Sequence, residues 1–315
     1  MYMQLPLRAL IGLCFCFAGT FLVLFCLRHK LPQDHGRAFA INGKQSVGKA
    51  RGSGVLFIPV FAAAALLLLP FSRELLSYLL LTLGAMLTGY LDDRSSLPWG
   101  ELKKGLLDLA ICVCAVAVFM LCNDKSELCL FSLRLPLPRW LFALFAVFVL
   151  WAFINCCNCS DGVDGHFGTL AILSLGAVSY SLLSVFGKSE WALSGFLLIA
   201  AICAYLLFNA SPSLVMMGDA GSRAIGLYLG LLMLKTDNML LCVPFACVIL
   251  LDGGLGLIKL SVRRLFHSKT FMSRPLTPLH DDARKNRHWS DTQTVFRFAL
   301  LQLFFCLIGI LCLYL

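Results

Sequence analysis

Charge is what this sequence has least of. Asp, Glu, Lys and Arg make up 14% of its 315 residues against 59% hydrophobic, and that balance excludes an ordinary soluble domain. A soluble core of this size could not hide so much apolar surface, so lipid must solvate much of it. Alternation of apolar and polar residues is missing too. The long hydrophobic stretches are continuous, which excludes a transmembrane barrel. The first stretch, 8–28, lacks a convincing small-residue cleavage site and is followed by others, so it reads as retained rather than as a signal peptide. Cysteines spaced through loops are also lacking. Of fifteen Cys, ten sit inside apolar runs as small hydrophobes, and no disulfide framework is expected. Cys156, Cys157 and Cys159, with His166 nearby, lack the spaced pairs of known zinc sites.

What is present is a series of apolar runs. A helix needs about 20 such residues to cross the hydrocarbon, with about 17 tolerated, and backbone polar groups in lipid must be satisfied within the segment. Candidate helices lie near 8–28, 54–71, 75–91, 105–122, 140–154, 167–186, 191–208, 222–235, 239–260 and 296–314. The fold class is therefore all-α integral membrane, with about ten transmembrane helices in one polytopic domain over 1–315. The loops after the odd-numbered runs, with the residues at their edges, hold seventeen of the 26 Lys and Arg. That excess places those loops in the cytoplasm and both termini outside. The loop 123–139, with Lys125, Arg134 and Arg139, is the one opposing loop that carries several. The net charge of +9 lies beside apolar runs. It fits anionic membrane lipid and phosphorylated substrates, not nucleic acid.

The acidic residues fall on the same side if the count of ten holds. Asp92 and Asp93 follow the third run; Asp161 and Asp164 follow the fifth, in NCCNCSDGVDG; Asp219 follows the seventh, in MMGDAGS; His280, Asp281 and Asp282 follow the ninth. Each has a plain reading as a helix cap or a turn. Caps, however, have no reason to gather on one face. Clustered carboxylates are hard ligands suited to Mg²⁺ together with substrate phosphates. Lys49, Arg51, Lys103, Lys104 and the basic run 284–287 could neutralise phosphate charge. The implied chemistry is phosphoryl transfer, which is largely positioning and charge stabilisation. A transporter would instead place its polar groups near the midplane of broken helices.

At these motifs the chain resembles the polyprenyl-phosphate N-acetylhexosamine-1-phosphate transferase superfamily, and within it the branch acting on phospho-N-acetylmuramoyl-pentapeptide. NCCNCSDGVDG is similar to the family's Asn-x-x-Asn-x-x-Asp-Gly-x-Asp-Gly segment. FNASPSLVMMGDAGSRAIG is similar to its Phe-Asn-x-x-Pro-Ala…Phe-Met-Gly-Asp-x-Gly-Ser segment, and GKARGSG is a weaker echo of its first Gly-rich loop. The resemblance implies that Asp92 and Asp93 are the paired aspartates, one of which deprotonates a lipid phosphate, and that Asp219 binds Mg²⁺. It implies that Asn155, Asn158, Asp161, Asp164 and Asn209 form the polar cluster on the nucleotide side. Lys104, or Lys103 in another register, matches the lysine after the paired aspartates. Lys49 and His280 join the substrate-binding set. The branch carries three consecutive histidines where this chain has His280, Asp281 and Asp282, and DDRSSLPWGELKK resembles sister branches that use UDP-N-acetylglucosamine.

The resemblance thus implies a Mg²⁺-dependent enzyme of the bacterial cytoplasmic membrane. It would move a sugar-1-phosphate from a UDP-linked amino sugar to polyprenyl (undecaprenyl) phosphate and release UMP in peptidoglycan synthesis. A homodimer is implied by the resemblance alone. An N-acetylglucosamine-1-phosphate transferase and a catalytically silent lipid- or nucleotide-binding relative stay open at this point, as do one-step transfer and a covalent aspartyl-phosphate route.

Overall fold

The computed structural model describes residues 4–34, 36, 47–97, 99–124, 126–130, 133–267, 270–272, 274 and 276–314. Among them the chain is almost wholly helical: α1 (Gln4–Leu27), α2 (Gly54–Leu68), α3 (Arg73–Asp93), α4 (Glu101–Cys122), α5 (Arg139–Ser160), α6 (His166–Ser184), α7 (Ser189–Asn209), α8 (Gly218–Lys235), α9 (Cys242–Phe245), α10 (Cys247–Leu265), α11 (Leu279–Lys285) and α12 (Asp291–Cys312). Helix starts follow local chemistry. Ser72 caps α3 by accepting the Leu75 N–H, and Ser290 with Gln293 forms a reciprocal capping box on α12. The connection between α4 and α5 holds structure that hydropathy does not announce. It is a hairpin, β1 (Glu127–Leu130) and β2 (Leu133–Pro136), antiparallel with Leu128 opposite Leu135.

Each of the ten apolar runs is helical, and the chain is a membrane protein. Among the described residues, seven helices are long and apolar enough to cross a bilayer, or eight if the bent pair α9–α10 forms one span. The two remaining runs, α2 and α8, differ from the rest. α2 has 15 residues, with Pro59 inside it. α8 carries Asp219, Arg223 and Lys235 within 18 residues, yet every one of its residues is buried. It is solvated by protein, chiefly α3 and α5, instead of by lipid. That is why it tolerates charge the outer helices do not. Glu74 of α3 and Asn123 pair with Lys235 at one end, at 3.0 and 2.8 Å. Arg223, in the second turn of α8, meets Asp108 of α4 at 2.5 Å.

The ninth run breaks at Ala246, where α9 and α10 bend by 92°. Ala246, at φ −131 and ψ 24, lies outside the helical region and marks the corner. Gln302 of α12 repairs the break. Its Nε2 donates to the Phe245 carbonyl at 2.8 Å, and its Oε1 accepts the Val248 N–H at 2.9 Å.

Candidate active site

Five separate pieces of chain meet at one end of α8. Gly218 adopts φ +71, which L side chains rarely take, and a Cβ there would stand 2.4 Å from Asp93 Oδ2. Gly89, one turn before the paired aspartates, lets α3 approach so closely that a Cβ would stand 2.4 Å from the Asp219 carbonyl. Backbone contact of this kind is what brings Asp92, Asp93 and Asp219 together, although 126 positions separate the last two.

The two adjacent aspartates have different partners. Asp93 points into the turn that starts α8. Its Oδ1 accepts the Asp219 N–H at 3.2 Å and the Arg51 Nε–H at 2.9 Å, and its Oδ2 accepts the Ala220 N–H at 3.0 Å. It therefore satisfies orphan donors of the helix start and favours its positive end. Asp92 Oδ1 accepts the Trp99 N–H at 2.7 Å, and its Oδ2 pairs with Lys104 Nζ. Lys104 also reaches Asp219 Oδ2 at 3.1 Å, and Arg51 Nη2 lies 3.8 Å from Asp219 Oδ1.

Asp92 and Asp219 thus share one ammonium between hard oxygen donors. That donor set fits Mg²⁺, which is commonly held by one or two carboxylates plus substrate phosphates. Asp92, Asp93 and Asp219 are all buried, and buried carboxylates persist only when paired. The paired cations are Lys104, from the first turn of α4, and Arg51, from the loop before α2. Burial works against the charge on Arg51, but Asp93, Asp219 and Asp34 outweigh it and raise its pKa above the ordinary value.

The remaining expected residues divide into three sets. Asn158 joins the centre through Ser222 Oγ at 3.0 Å. Lys49 and Asp164 form a neighbouring pair at 3.0 Å, with Ser213 donating its backbone N–H to Asp164 at 3.1 Å and accepting from Lys49 at 2.9 Å. Asn209 ties two loops together, accepting the Gly165 N–H and donating to the Val215 carbonyl, both at 2.8 Å. Asp161 is the residue that follows α5. Asn155 turns back on its own helix to the Trp151 carbonyl at 2.8 Å. His280 is not at the Asp219 centre; it bonds Asp252 instead.

Sequence reasoning missed several residues. Arg51 was counted only among general basic groups, yet it touches two of the three aspartates. Arg223 stands four residues after Asp219 and donates to the Lys104 carbonyl at 3.3 Å besides its pair with Asp108. An arginine in an apolar run is itself a signal of a buried acidic partner. Asp252 carries the same signal.

Comparison with known proteins shows the family of the chain. The model of glycosyl transferase family 4 matches residues 75–237. A phospho-N-acetylmuramoyl-pentapeptide-transferase of Treponema pallidum (strain Nichols) is 41% identical over 305 residues, spanning 91% of this chain and 84% of the relative. Proteins of the same description from Brachyspira hyodysenteriae and Borrelia hermsii are each 34% identical over shorter stretches. These cover 36% and 34% of this chain and 29% of each relative.

Proposed function

Because the chain belongs to glycosyl transferase family 4 and to its phospho-N-acetylmuramoyl-pentapeptide transferases, we propose that the Asp92–Lys104–Asp219 centre is where it carries out their reaction. The enzyme transfers phospho-N-acetylmuramoyl-pentapeptide from its UDP donor to a polyprenyl phosphate in peptidoglycan synthesis. An oxygen of the lipid phosphate forms a new bond to the sugar-bound phosphorus, the bond from that phosphorus to the bridging oxygen breaks, and UMP leaves. The shared ammonium between Asp92 and Asp219 is the observation that carries the assignment to this centre.

Asp219 is the residue to hold Mg²⁺, and when bound that ion supplies charge neutralisation at the donor diphosphate. Lys104 and Arg51 stabilise the charge that develops on the transferred group. Asp92 orients the lipid phosphate and takes its remaining proton. With a second phosphate pKa of about 6, most of that nucleophile is already dianionic at neutral pH, so orientation is the larger contribution. Asp93 holds the start of α8, and so fixes Asp219. Lys49, Asp164 and Asp161, with the loops joined by Asn209, receive the nucleotide side of the donor.

The charge bias supports a topology with this end of the bundle in the cytoplasm, both termini outside, and about ten crossings of the bacterial cytoplasmic membrane. Release of UMP from the purified chain in detergent, with Mg²⁺ and polyprenyl phosphate, tests the reading. Turnover is expected with UDP-N-acetylmuramoyl-pentapeptide and not with UDP-N-acetylglucosamine. Asp219→Asn should lose nearly all of it while still inserting; full activity in that variant sinks the metal assignment.

A further inference from the structure

Asp252 takes no part in the centre above, yet it is a fully buried carboxylate on α10. Its partners come from distant parts of the chain. Oδ1 accepts the His280 backbone N–H at 2.9 Å, Oδ2 accepts from His280 Nδ1 at 2.8 Å, and His166 Nε2 lies 3.3 Å from Oδ2. An ionised carboxylate only accepts, so His280 carries its hydrogen on Nδ1 and His166 on Nε2. His280 Nε2 then faces the other way, flush against Gly162, where a Cβ would stand 2.3 Å from it. His166 begins α6 two residues after Asp164. The carboxylate therefore grips the segment 161–166 twice, through the ring packed against Gly162 and through the ring that ends the segment. Lys49 holds Asp164 from the other side at 3.0 Å.

We propose that Asp252 is a positioning residue for the loop Asp161–Gly165, acting through His280 and His166 to set the shape in which that loop receives the nucleotide part of the donor. This rests on the assignment of the loop to the nucleotide side. A metal ion is the rival occupant, since the three ligand atoms lie within 4.8 Å of one another. Without one, N–H donors already reach both carboxylate oxygens at hydrogen-bond distance.

The groups facing His280 give the grip a pH dependence. They are Asp252 on α10, His166 on α6, Asp281 at 3.8 Å from its Nε2, and Arg284, which is itself held by Asp291 of α12 at 2.9 Å. The thiols of Cys156 and Cys159 on α5 face Asp252. Burial disfavours the imidazolium, but Asp252 outweighs it, and the His280 pKa lies above the ordinary histidine value. The charged pair is therefore fully present below that ordinary value and is lost as pH rises through the raised one.

Initial rates of UMP release, with donor and polyprenyl phosphate varied separately across pH, test this in the full chain. In the wild type the KM for the UDP donor should climb on the alkaline side while the KM for the lipid stays level. Asp252→Asn should raise the donor KM about tenfold or more, as expected for a lost charged hydrogen bond, leave the lipid KM within about twofold, and flatten the climb. Asp252→Glu should recover part of the loss. Calorimetric binding of UDP alone reads the loop without turnover. A wild type that releases no UMP but binds UDP more tightly than Asp252→Asn does would sink the transfer reading and keep this one. Where Asp252→Asn does not fold, His166→Gln carries the same measurement. Equal losses on both substrates, unchanged UDP affinity, or one zinc per chain surviving dialysis against chelator would overturn the proposal.

Discussion

Asp92 and Asp93 show how much two neighbouring identical residues can differ. About 100° separates consecutive side chains on a helix, so one carboxylate turns to Lys104 and the other to the backbone of α8. Asp93→Asn removes charge from bonds to two N–H groups and a guanidinium, each worth about 1.5–3 kcal/mol. It should lower both the melting temperature and kcat. Asp92→Asn should cut kcat by at least about 100-fold with a melting temperature close to that of the wild type. Thermal unfolding alongside UMP release separates the two outcomes, and equal melting losses would refute the division. The acid pair itself was legible in the sequence. Its division of labour was not, because nothing local distinguishes the two positions.

At the scale of elements, the register of α4 against α8 is set by Arg223 and Asp108, a buried pair at 2.5 Å that also holds the Lys104 carbonyl. Removing one member leaves a buried charge without its partner, at a cost of about 3–5 kcal/mol. Arg223→Leu alone should therefore unfold at markedly lower temperature, while Arg223→Leu with Asp108→Leu should recover most of that loss. A double variant no more stable than the single one would mean that the pair is not what fixes the register. The ten apolar runs made these helices visible from sequence. The pairing was invisible because it joins helices far apart along the chain, and periodicity reports only what lies within a few turns. The corner at Ala246 was missed for a different reason. The stretch 239–251 is apolar on both sides of the corner, and hydropathy does not register the backbone angles of Ala246.

For the molecule as a whole, the topology proposed from the unequal distribution of Lys and Arg puts the two ends in different compartments. Leu97 and Leu214 are exposed beside the centre, at 78% and 55%, and Arg134 lies in the hairpin. Cysteines introduced at Leu97 and Leu214 should react with an impermeant maleimide only from the cytoplasmic side. One at Arg134 should react only from outside, each read above the wild-type background. Labelling of Leu97→Cys and Leu214→Cys from opposite sides would contradict the joint site. Counting ten apolar runs set Asp92, Asp93 and Asp219 on one side, and these three acids do meet. The count could not reveal the buried α8, whose three charged residues make it look like a weak span when it is in fact the axis of the bundle.

The glutamine at the bend gives the last helix a second duty. Gln302 acts as a surrogate peptide unit, offering one donor and one acceptor where the main chain has run out of both. The final segment is therefore more than a tether in the lipid. Trimming the chain before it, or swapping that one side chain for leucine, would strand two bare amide groups in hydrocarbon and let the corner swing. The helix bearing Asp252 would swing with it, so damage at the far end of the polypeptide would be felt as a slackened hold on the donor.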